Sequence, residues 1–282
     1  MIIKKDLLIN CYSEKPEKTM KKPPIFIVGC PRSGTTLARV ILDSHPNICC
    51  GPETHIIKNL KQFNNKTMEN WKMLKPFQFS KKDFYIKQGE ILKVFCENLM
   101  KIKKKQRWCE KTPDNIFHID FINKIFPDCQ FINIIRDGRD VVSSFKNRYG
   151  RIAIYTGIKK WNKAMDMIEK YRKEFSKDRY LEVRYEELVT DPEKNTKKMM
   201  QFLNEEWTPA LLEHHKFKHE YWFNPKTKEN VDFEKEKKPL RHSPSRPIFT
   251  SSTGRWKKDL NILEKAIVNL LLDKNLKKMN YK

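Results

Sequence analysis

The chain has 282 residues, enough for one large domain with a hydrophobic core of its own. It carries 58 Lys and Arg against 35 Asp and Glu, a formal charge of +23 that favours anionic ligands, although scattered lysine runs are also typical of a solvated surface. No apolar run approaches the roughly 20 residues that span a membrane, and no zinc-finger or RNA-binding motif appears, so neither a transmembrane segment nor a nucleic-acid partner is expected.

The N-terminal part of the sequence predicts an arm rather than a folded element. Residues 1–23 are polar and lysine-rich, and they indicate a flexible basic arm ahead of a single domain over residues 24–282. The first residues lack the pattern of a signal peptide, so we expect a cytoplasmic protein, while a membrane anchor ahead of the given sequence is left open.

The first predicted strand, over residues 25–29, runs into a loop suited to an anion. The loop reads G-x-x-x-x-G-T-T and leads into a helix predicted over residues 35–44. A strand, a tight loop and a helix start aim backbone N–H groups and a positive helix end at one point. A nucleoside-triphosphate P-loop has lysine where this chain has Thr35, and here the cation is Arg32, inside the loop. The pattern predicts a phosphate-type ligand without the usual Mg–ATP arrangement.

Strands and helices alternate along the rest of the chain, which predicts an α/β fold. Residues 55–105 are mostly helical, and Asp114 is expected to cap a helix that ends near residue 125. The remaining elements are predicted as strands over 130–135 and 181–185, helices over 139–148, 156–175, 192–203 and 259–275, and a long loop or flap over 222–249. This order indicates a P-loop-like parallel sheet with helices on both faces, where ligands bind beyond the carboxyl ends of the strands.

A second loop follows the strand predicted over 130–135 and carries the sequence Arg136-Asp-Gly-Arg-Asp140, with Ser144 eight positions after Arg136. Together with the first loop and the segment Thr250-Ser-Ser-Thr-Gly-Arg-Trp256, it makes the sequence resemble sulfotransferases that use 3′-phosphoadenosine 5′-phosphosulfate (PAPS). The resemblance implies that the first loop cradles the 5′-phosphosulfate, the second holds the 3′-phosphate, and the C-terminal segment closes over the nucleotide. The nucleotide-binding residues that it implies are Arg32, Ser33, Gly34, Thr35, Thr36, Arg136, Ser144, Arg148, Tyr185, Ser251, Gly254 and Arg255.

Within that family, the sequence is most similar to the tyrosylprotein sulfotransferases. Counterparts of their motifs are Cys50-Gly-Pro-Glu-Thr54, Cys109-Glu-Lys-Thr-Pro113, Arg136-Asp-Gly-Arg139 and Lys160-Trp-Asn162. His55 stands where those enzymes have a substrate-contacting arginine, and their second disulfide and N-terminal membrane anchor have no counterpart in the sequence. These departures concern the acceptor rather than the chemistry.

The chemistry implied by the resemblance needs a base and fixed cations. Sulfuryl transfer builds negative charge on the bridging oxygen of the donor, and fixed cations can balance that charge without a metal. Arg32 and Lys111 are the candidates, with Lys111 placed near the leaving oxygen by the resemblance. Glu53 matches the general base of the family, and His55 is the second candidate as well as a substrate-binding residue. We expect PAPS as donor, 3′,5′-ADP as product and no metal, and we expect Arg139, Asp140, Trp161 and Trp256 to be structural.

The cysteines allow two interpretations. Seven cysteines without a Cys-x-x-Cys pair favour reduced thiols. The resemblance instead pairs Cys50 with Cys109 as a disulfide. We expect these two residues to lie close together and leave the bridge itself open.

Several functions remain open. A protein tyrosine is the leading acceptor, with an acidic peptide as the partner that it implies, and a small molecule or a carbohydrate is the alternative. A P-loop nucleotide kinase and a non-catalytic nucleotide-binding protein belong to other classes. The missing loop lysine counts against the kinase, and the intact Glu53 and Lys111 count against the non-catalytic protein. A homodimer is also left open.

Overall fold

A parallel sheet forms the centre of the part of the chain that the computed structural model describes, residues 22–219, 223–224, 229–230 and 246–281. Its strands are β1 (Ile25–Gly29), β2 (Ile48–Cys50), β3 (Arg107–Lys111), β4 (Gln130–Ile135) and β5 (Tyr180–Arg184). They lie side by side in the order β2–β3–β1–β4–β5. A separate antiparallel pair joins Phe223–Asn224 to Glu229–Asn230.

Helices connect these strands. The α-helices of the described residues are α1 (Thr35–Asp43), α2 (Ile56–Glu69), α3 (Lys81–Ile102), α4 (Ile119–Ile125), α5 (Gly138–Tyr149), α6 (Ala153–Glu174), α7 (Tyr185–Thr190), α8 (Pro192–Leu203), α9 (Trp256–Asp259) and α10 (Ile262–Lys278). Short 3₁₀ helices span Trp71–Phe77, Pro113–His118, Pro209–Leu211 and His214–Lys216.

The central strand β1 shows why helices cover both faces of the sheet. Successive side chains of a strand point to opposite faces. Phe26 and Val28 pack on the side of α2 to α6 and α10, whereas Ile25 and Ile27 pack on the side of α1, α7 and α8. All four side chains are fully buried. A strand that is buried on both faces has a continuous apolar sequence, as β1 does.

The strand order brings three loops to one edge of the sheet. β1 pairs with β3 on one side and with β4 on the other, all in parallel, so their carboxyl ends meet. The loop after β1 carries Arg32, and the turn after β4 carries Arg136. Asp137 then begins α5, because its carboxylate accepts a hydrogen bond from the Arg139 amide at 2.8 Å.

The predicted α/β class with a parallel sheet and helices on both faces is confirmed. The strands expected over 25–29 and 130–135 are β1 and β4, and the helix expected over 139–148 is α5. The helical stretch expected between residues 55 and 105 divides into α2, a 3₁₀ helix and α3. Of the predicted arm only residues 22 and 23 are described, and most of the flap over 222–249 also lies outside the described residues.

Three predictions are wrong in detail. Asp114 does not cap an α-helix; it follows the start of the 3₁₀ helix Pro113–His118, and its carboxylate pairs with Lys160 at 2.9 Å. Tyr185 begins α7 instead of ending β5. The last predicted helix is broken after Asp259, because Asn261 opens α10 in a reciprocal capping box with the Glu264 side chain.

Candidate active site

The loop between β1 and α1 has a backbone shaped for an anion. Arg32 adopts a left-handed conformation with φ of 74°, and Gly34 follows with φ of 96°. Alternation of right- and left-handed residues turns successive N–H groups toward one point, and α1 begins directly behind them. Glycine is required at position 34, because a Cβ there would overlap the ring of Tyr185.

Arginines from two loops meet beside this backbone. The Arg32 Nε donates a hydrogen bond to the Ser144 Oγ at 3.0 Å, which joins the first loop to α5. Arg136 donates from Nη1 to the Arg32 carbonyl at 3.1 Å, and its guanidinium lies 4.3 Å from the centre of the Tyr185 ring. The structure therefore brings together four of the predicted nucleotide residues.

Several cations gather at this point, where Asp140 pairs with Arg136 at 3.8 Å. Burial lowers the pKa of Arg32, and the like charges of Arg148, Arg136 and Arg255 lower it further. Among the described residues, the buried Ser33 Oγ and Arg136 Nε have no hydrogen-bond partner. A buried donor without a partner is costly, so these atoms fit a bound anion such as a phosphate group.

The C-terminal segment reaches the site through α5. Asp140 accepts hydrogen bonds from the backbone N–H groups of Gly254 at 2.8 Å and Trp256 at 3.0 Å, and Arg136 donates to the Ser252 carbonyl. Ser251 itself is exposed, and the buried member of this segment is Ser252, which the sequence did not single out.

Two other predicted residues take positions at the edge of the site. Arg148 is exposed on α5, one turn after Ser144. Arg255 pairs with Asp259 at 2.7 Å. The residues expected to be structural make structural contacts: Arg139 pairs with Asp137 and stacks on Trp256, and Trp161 donates to the Arg136 carbonyl at 2.9 Å.

The predicted base and the predicted cation touch each other. Lys111, at the end of β3, is fully buried and donates to a carboxylate oxygen of Glu53. It also donates to the Thr36 Oγ1 at 3.3 Å, so it connects the base to the anion loop. Burial lowers the pKa of Lys111, and the Glu53 charge opposes that shift.

His55 faces the other oxygen of the base. Its Nε2 lies 3.7 Å from the Glu53 Oε2, and more than half of its side chain is exposed. The residue has φ of 55° and immediately precedes α2. His55 thus lies on the solvent-exposed side of the Glu53 carboxylate.

The two cysteines of the neighbouring motifs lie opposite each other. Cys50 of β2 and Cys109 of β3 are direct partners in the parallel register, which confirms the expected proximity. Both thiols are free in the structure, so no disulfide joins them. Burial raises the pKa of Cys109, and the hydrogen bond with Cys50 raises it further.

The described residues contain neither a candidate metal cluster nor a candidate membrane span. In the residues that the structure describes, no group of three or more His, Cys, Asp or Glu side chains is arranged to hold a metal ion. None of the helices in those residues is long and apolar enough to cross a membrane.

Comparison with known proteins relates the chain to sulfotransferases. Residues 23–209 match the Sulfotransferase family. The chain is 32% identical over 202 residues to the protein-tyrosine sulfotransferase of Drosophila melanogaster, with 69% of this chain and 40% of that protein covered. It is also 32% identical over 199 residues to protein-tyrosine sulfotransferase 1 of Danio rerio, with 68% of this chain and 56% of that protein covered. The chain therefore spans about half the length of these relatives.

Solved structures show the same fold. The sulfotransferase domain of the Synechococcus PCC 7002 olefin synthase superimposes with a TM-score of 0.64 at 21% identity, covering 95% of this chain and 98% of that one. A mouse sulfotransferase complexed with PAP has a TM-score of 0.51 at 16% identity, covering 90% of this chain and 85% of that one.

Proposed function

Because the chain belongs to the sulfotransferase family, we propose that it transfers a sulfuryl group from PAPS to an acceptor hydroxyl and releases 3′,5′-ADP. One observation carries this proposal. A continuous line of contacts runs from the loop after β1 through Thr36 and Lys111 to Glu53, so the predicted anion loop, a buried cation and a carboxylate adjoin one another. The proposal assigns each of them one step.

The first loop and the arginines bind the nucleotide. The backbone of residues 32–36 and the Arg32 side chain would hold the 5′-phosphosulfate, while Arg136, Ser144 and Arg148 would hold the 3′-phosphate. The buried, unpartnered donors of Ser33 and Arg136 support this assignment. Bound PAPS supplies a sulfur atom whose bond to a phosphate oxygen can be broken. Because fixed cations can balance the charge that develops in this step, the proposal includes no metal.

Glu53 then serves as the general base. Its carboxylate takes the proton of the acceptor hydroxyl while that oxygen bonds to sulfur and the bond between sulfur and the phosphate oxygen breaks. Lys111 and Arg32 offset the negative charge that develops on the phosphate oxygen. Since this charge appears only during transfer, their contribution stabilises the transition state more than the bound substrates.

The acceptor proposed first is a protein tyrosine. The support is the likeness to proteins named protein-tyrosine sulfotransferases and the net charge of +23, which favours an acidic peptide. His55 favours a second candidate, a small molecule or a carbohydrate, because this histidine stands where the resembling enzymes have a substrate-contacting arginine. A cytoplasmic location and a homodimer stay predictions.

Ligand binding tests the nucleotide assignment. We expect 3′,5′-ADP to raise the melting temperature without added metal, and a ligand at 100 times its Kd stabilises by about 2.7 kcal/mol. Arg136→Ala should remove most of that rise. Equal stabilisation by 5′-AMP would contradict the assignment, since no 3′-phosphate clamp would be needed, and a response to ATP–Mg alone would favour a kinase.

Transfer of label from PAPS tests the acceptor. Acidic peptides with a single tyrosine, the same peptides with phenylalanine, small phenols and sugars would be offered in parallel. Label on the tyrosine peptide alone would support the first candidate. Label on a phenol or a sugar would support the second, and binding of 3′,5′-ADP without transfer to any acceptor would favour a non-catalytic protein.

A further inference from the structure

Glu110 is a buried carboxylate to which the proposed mechanism assigns no role. It lies in β3 next to Lys111 and is 2% exposed. Because side chains alternate along a strand, Glu110 points to the face of the sheet opposite Lys111, the face that Trp108 helps to fill. Burial raises the pKa of Glu110. A carboxylate in such a place is costly unless donors surround it.

The donors around Glu110 come from two segments of the chain, one before α2 and one directly after β3. One carboxylate oxygen accepts from the Thr54 Oγ1 at 3.0 Å and from the Thr112 Oγ1 at 2.6 Å. The other accepts from the Asn115 Nδ2 at 2.7 Å. The Thr54 Oγ1 in turn accepts from the Ile56 amide at 3.3 Å, at the start of α2. Glu110 thus joins β3 to the segment that leads into α2.

Two pairs of contacts connect these segments side by side. Glu53 of the loop contacts Lys111 of β3, and the next loop residue, Thr54, contacts Glu110, the preceding residue of β3. The two pairs lie on opposite faces of the strand because positions 110 and 111 alternate. The second pair therefore restrains the same backbone that the first pair needs for chemistry.

Building on the proposed function, we propose that Glu110 is a positioning residue, whose hydrogen bond from Thr54 fixes the loop that carries the base Glu53 relative to Lys111. A displacement of about 1 Å in a reacting group can cost a factor of about 10² in rate. The arginines proposed to bind nucleotide belong to other loops. Loss of the Glu110 contact should therefore reduce turnover and leave nucleotide affinity intact.

Variants at both ends of the contact test this role. In Glu110→Gln the side-chain amide places an N–H₂ group opposite one of the donors that the carboxylate now accepts from. In Thr54→Val the hydroxyl that donates to Glu110 is absent. We expect each to lower kcat by about 10- to 100-fold, with KM for PAPS and the Kd of 3′,5′-ADP unchanged. Thr54→Ser keeps the hydroxyl and should restore most of kcat. The double variant Glu110→Gln/Thr54→Val should be no slower than the slower single variant, because both changes remove one interaction.

A matched control separates positioning from loss of stability. Gln88 and Asn64 form a buried hydrogen bond of 3.2 Å between α3 and α2, away from the base. Gln88→Leu should lower the melting temperature as Glu110→Gln does, yet retain the kcat of the unmodified protein. If both variants lose kcat in proportion to their melting temperatures, or if Glu110→Gln and Thr54→Val keep full kcat, the proposal is wrong.

Hydrogen exchange gives a result that needs no turnover. Exchange measured by mass spectrometry in the protein bound to 3′,5′-ADP should become faster at residues 51–56 in Glu110→Gln and Thr54→Val, and stay unchanged there in Gln88→Leu. Unchanged exchange in all variants would overturn the proposal. If the unmodified protein transfers no sulfuryl group to any acceptor, the proposed function fails, while the exchange still decides whether Glu110 holds the loop.

Discussion

At the scale of single residues, Glu53 stands between a buried cation and an exposed imidazole. We predict that Glu53→Gln lowers turnover by about 10²- to 10⁴-fold, the usual effect of losing a general base, while 3′,5′-ADP binds as before. Lys111→Ala should also lower kcat more than nucleotide affinity. Steady-state kinetics and calorimetric titration with 3′,5′-ADP measure the two effects separately.

The comparison with His55 decides which residue is the base. His55→Ala should cost less than Glu53→Gln, and mainly through KM for the acceptor. Glu90→Gln on the exposed surface of α3 is a suitable control for the loss of a carboxylate, since Glu90 pairs with the exposed Lys87 at 3.0 Å. A nearly inactive His55→Ala beside a nearly normal Glu53→Gln would require the two roles to be exchanged.

Gly34 offers a second prediction at this scale. Gly34 and Gly254 both have positive φ, 96° and 69°, so alanine is strained at either position. Only at position 34 would the new Cβ also overlap Tyr185, whereas nothing lies within 4 Å at position 254. Gly34→Ala should therefore lower the free energy of unfolding more than Gly254→Ala, measured by urea denaturation.

A further substitution identifies the cause of that difference. Tyr185→Ala in the Gly34→Ala background should recover the steric part of the loss. Equal losses at positions 34 and 254, or no recovery, would show that the Tyr185 ring does not restrict the loop.

At the scale of elements, α5 connects the residues proposed to bind the 3′-phosphate to the C-terminal segment that contains Gly254 and Trp256. Asp140 accepts two backbone N–H groups of that segment, at Gly254 and Trp256. Asp140→Asn should lower the free energy of unfolding by about 1–3 kcal/mol, because the asparagine amide places an N–H donor opposite one of those backbone N–H groups. We also expect weaker 3′,5′-ADP binding and faster hydrogen exchange over residues 250–256. Asp120→Asn, at an exposed position of α4, is the control, and an equal loss of affinity there would contradict the prediction.

The elements differ in how far the sequence predicts them. β1 and β4 are continuous apolar runs, so the sequence predicts them as buried strands. The loop after β1 is predicted from the spacing of its glycines, G-x-x-x-x-G. β2 and β3 are not evident, because β2 has three residues and β3 reads Arg-Trp-Cys-Glu-Lys. The buried charged side chains of β3 depend in part on partners far along the chain: Arg107 donates to the Leu203 carbonyl, and Glu110 accepts from Thr54. No local pattern contains those partners, so Glu110 and Ser252 escape prediction, whereas Glu53 and Lys111 are found through motifs.

At the scale of the molecule, one buried carboxylate joins distant parts of the chain. Asp43 at the end of α1 accepts from the Cys50 amide at 2.9 Å, contacts the His219 Nδ1 at 2.7 Å, and pairs with Lys103 at 3.4 Å and Lys105 at 3.7 Å. Although burial raises the pKa of Asp43, the His219 hydrogen bond and the two lysines lower it below the ordinary value. The ionised form is therefore favoured in the folded state.

The direction of this shift predicts a pH dependence. A carboxylate with a depressed folded pKa contributes stability that is fully present above its unfolded pKa of about 3.9 and is lost as the pH falls toward the folded value. Asp43→Asn should lower the free energy of unfolding by up to about 3–5 kcal/mol at neutral pH, because the buried Asp43 charge no longer contacts His219 and the half-buried Lys103 and Lys105. The stability of the variant should also fall less steeply below pH 4 than that of the unmodified protein. Urea titrations at several pH values measure both. Exposed Asp273→Asn should change neither, and parallel acid curves for Asp43→Asn and the unmodified protein would contradict this account.

The position of β3 between β2 and β1 has a consequence for folding on the ribosome. β1 and β2 are complete by residue 50, but they cannot pair with each other, because the gap between them is filled only by residues 107–111. At a synthesis rate of about 5–20 residues per second, the nascent chain spends several seconds with the edge of β1 uncovered. The segment that carries Glu53 and Thr54 likewise gains its contacts with Lys111 and Glu110 only after β3 has left the ribosome. A pause in translation just before residue 107 would therefore prolong a state prone to edge-to-edge association, and a synonymous slow codon there should lower the yield of soluble protein.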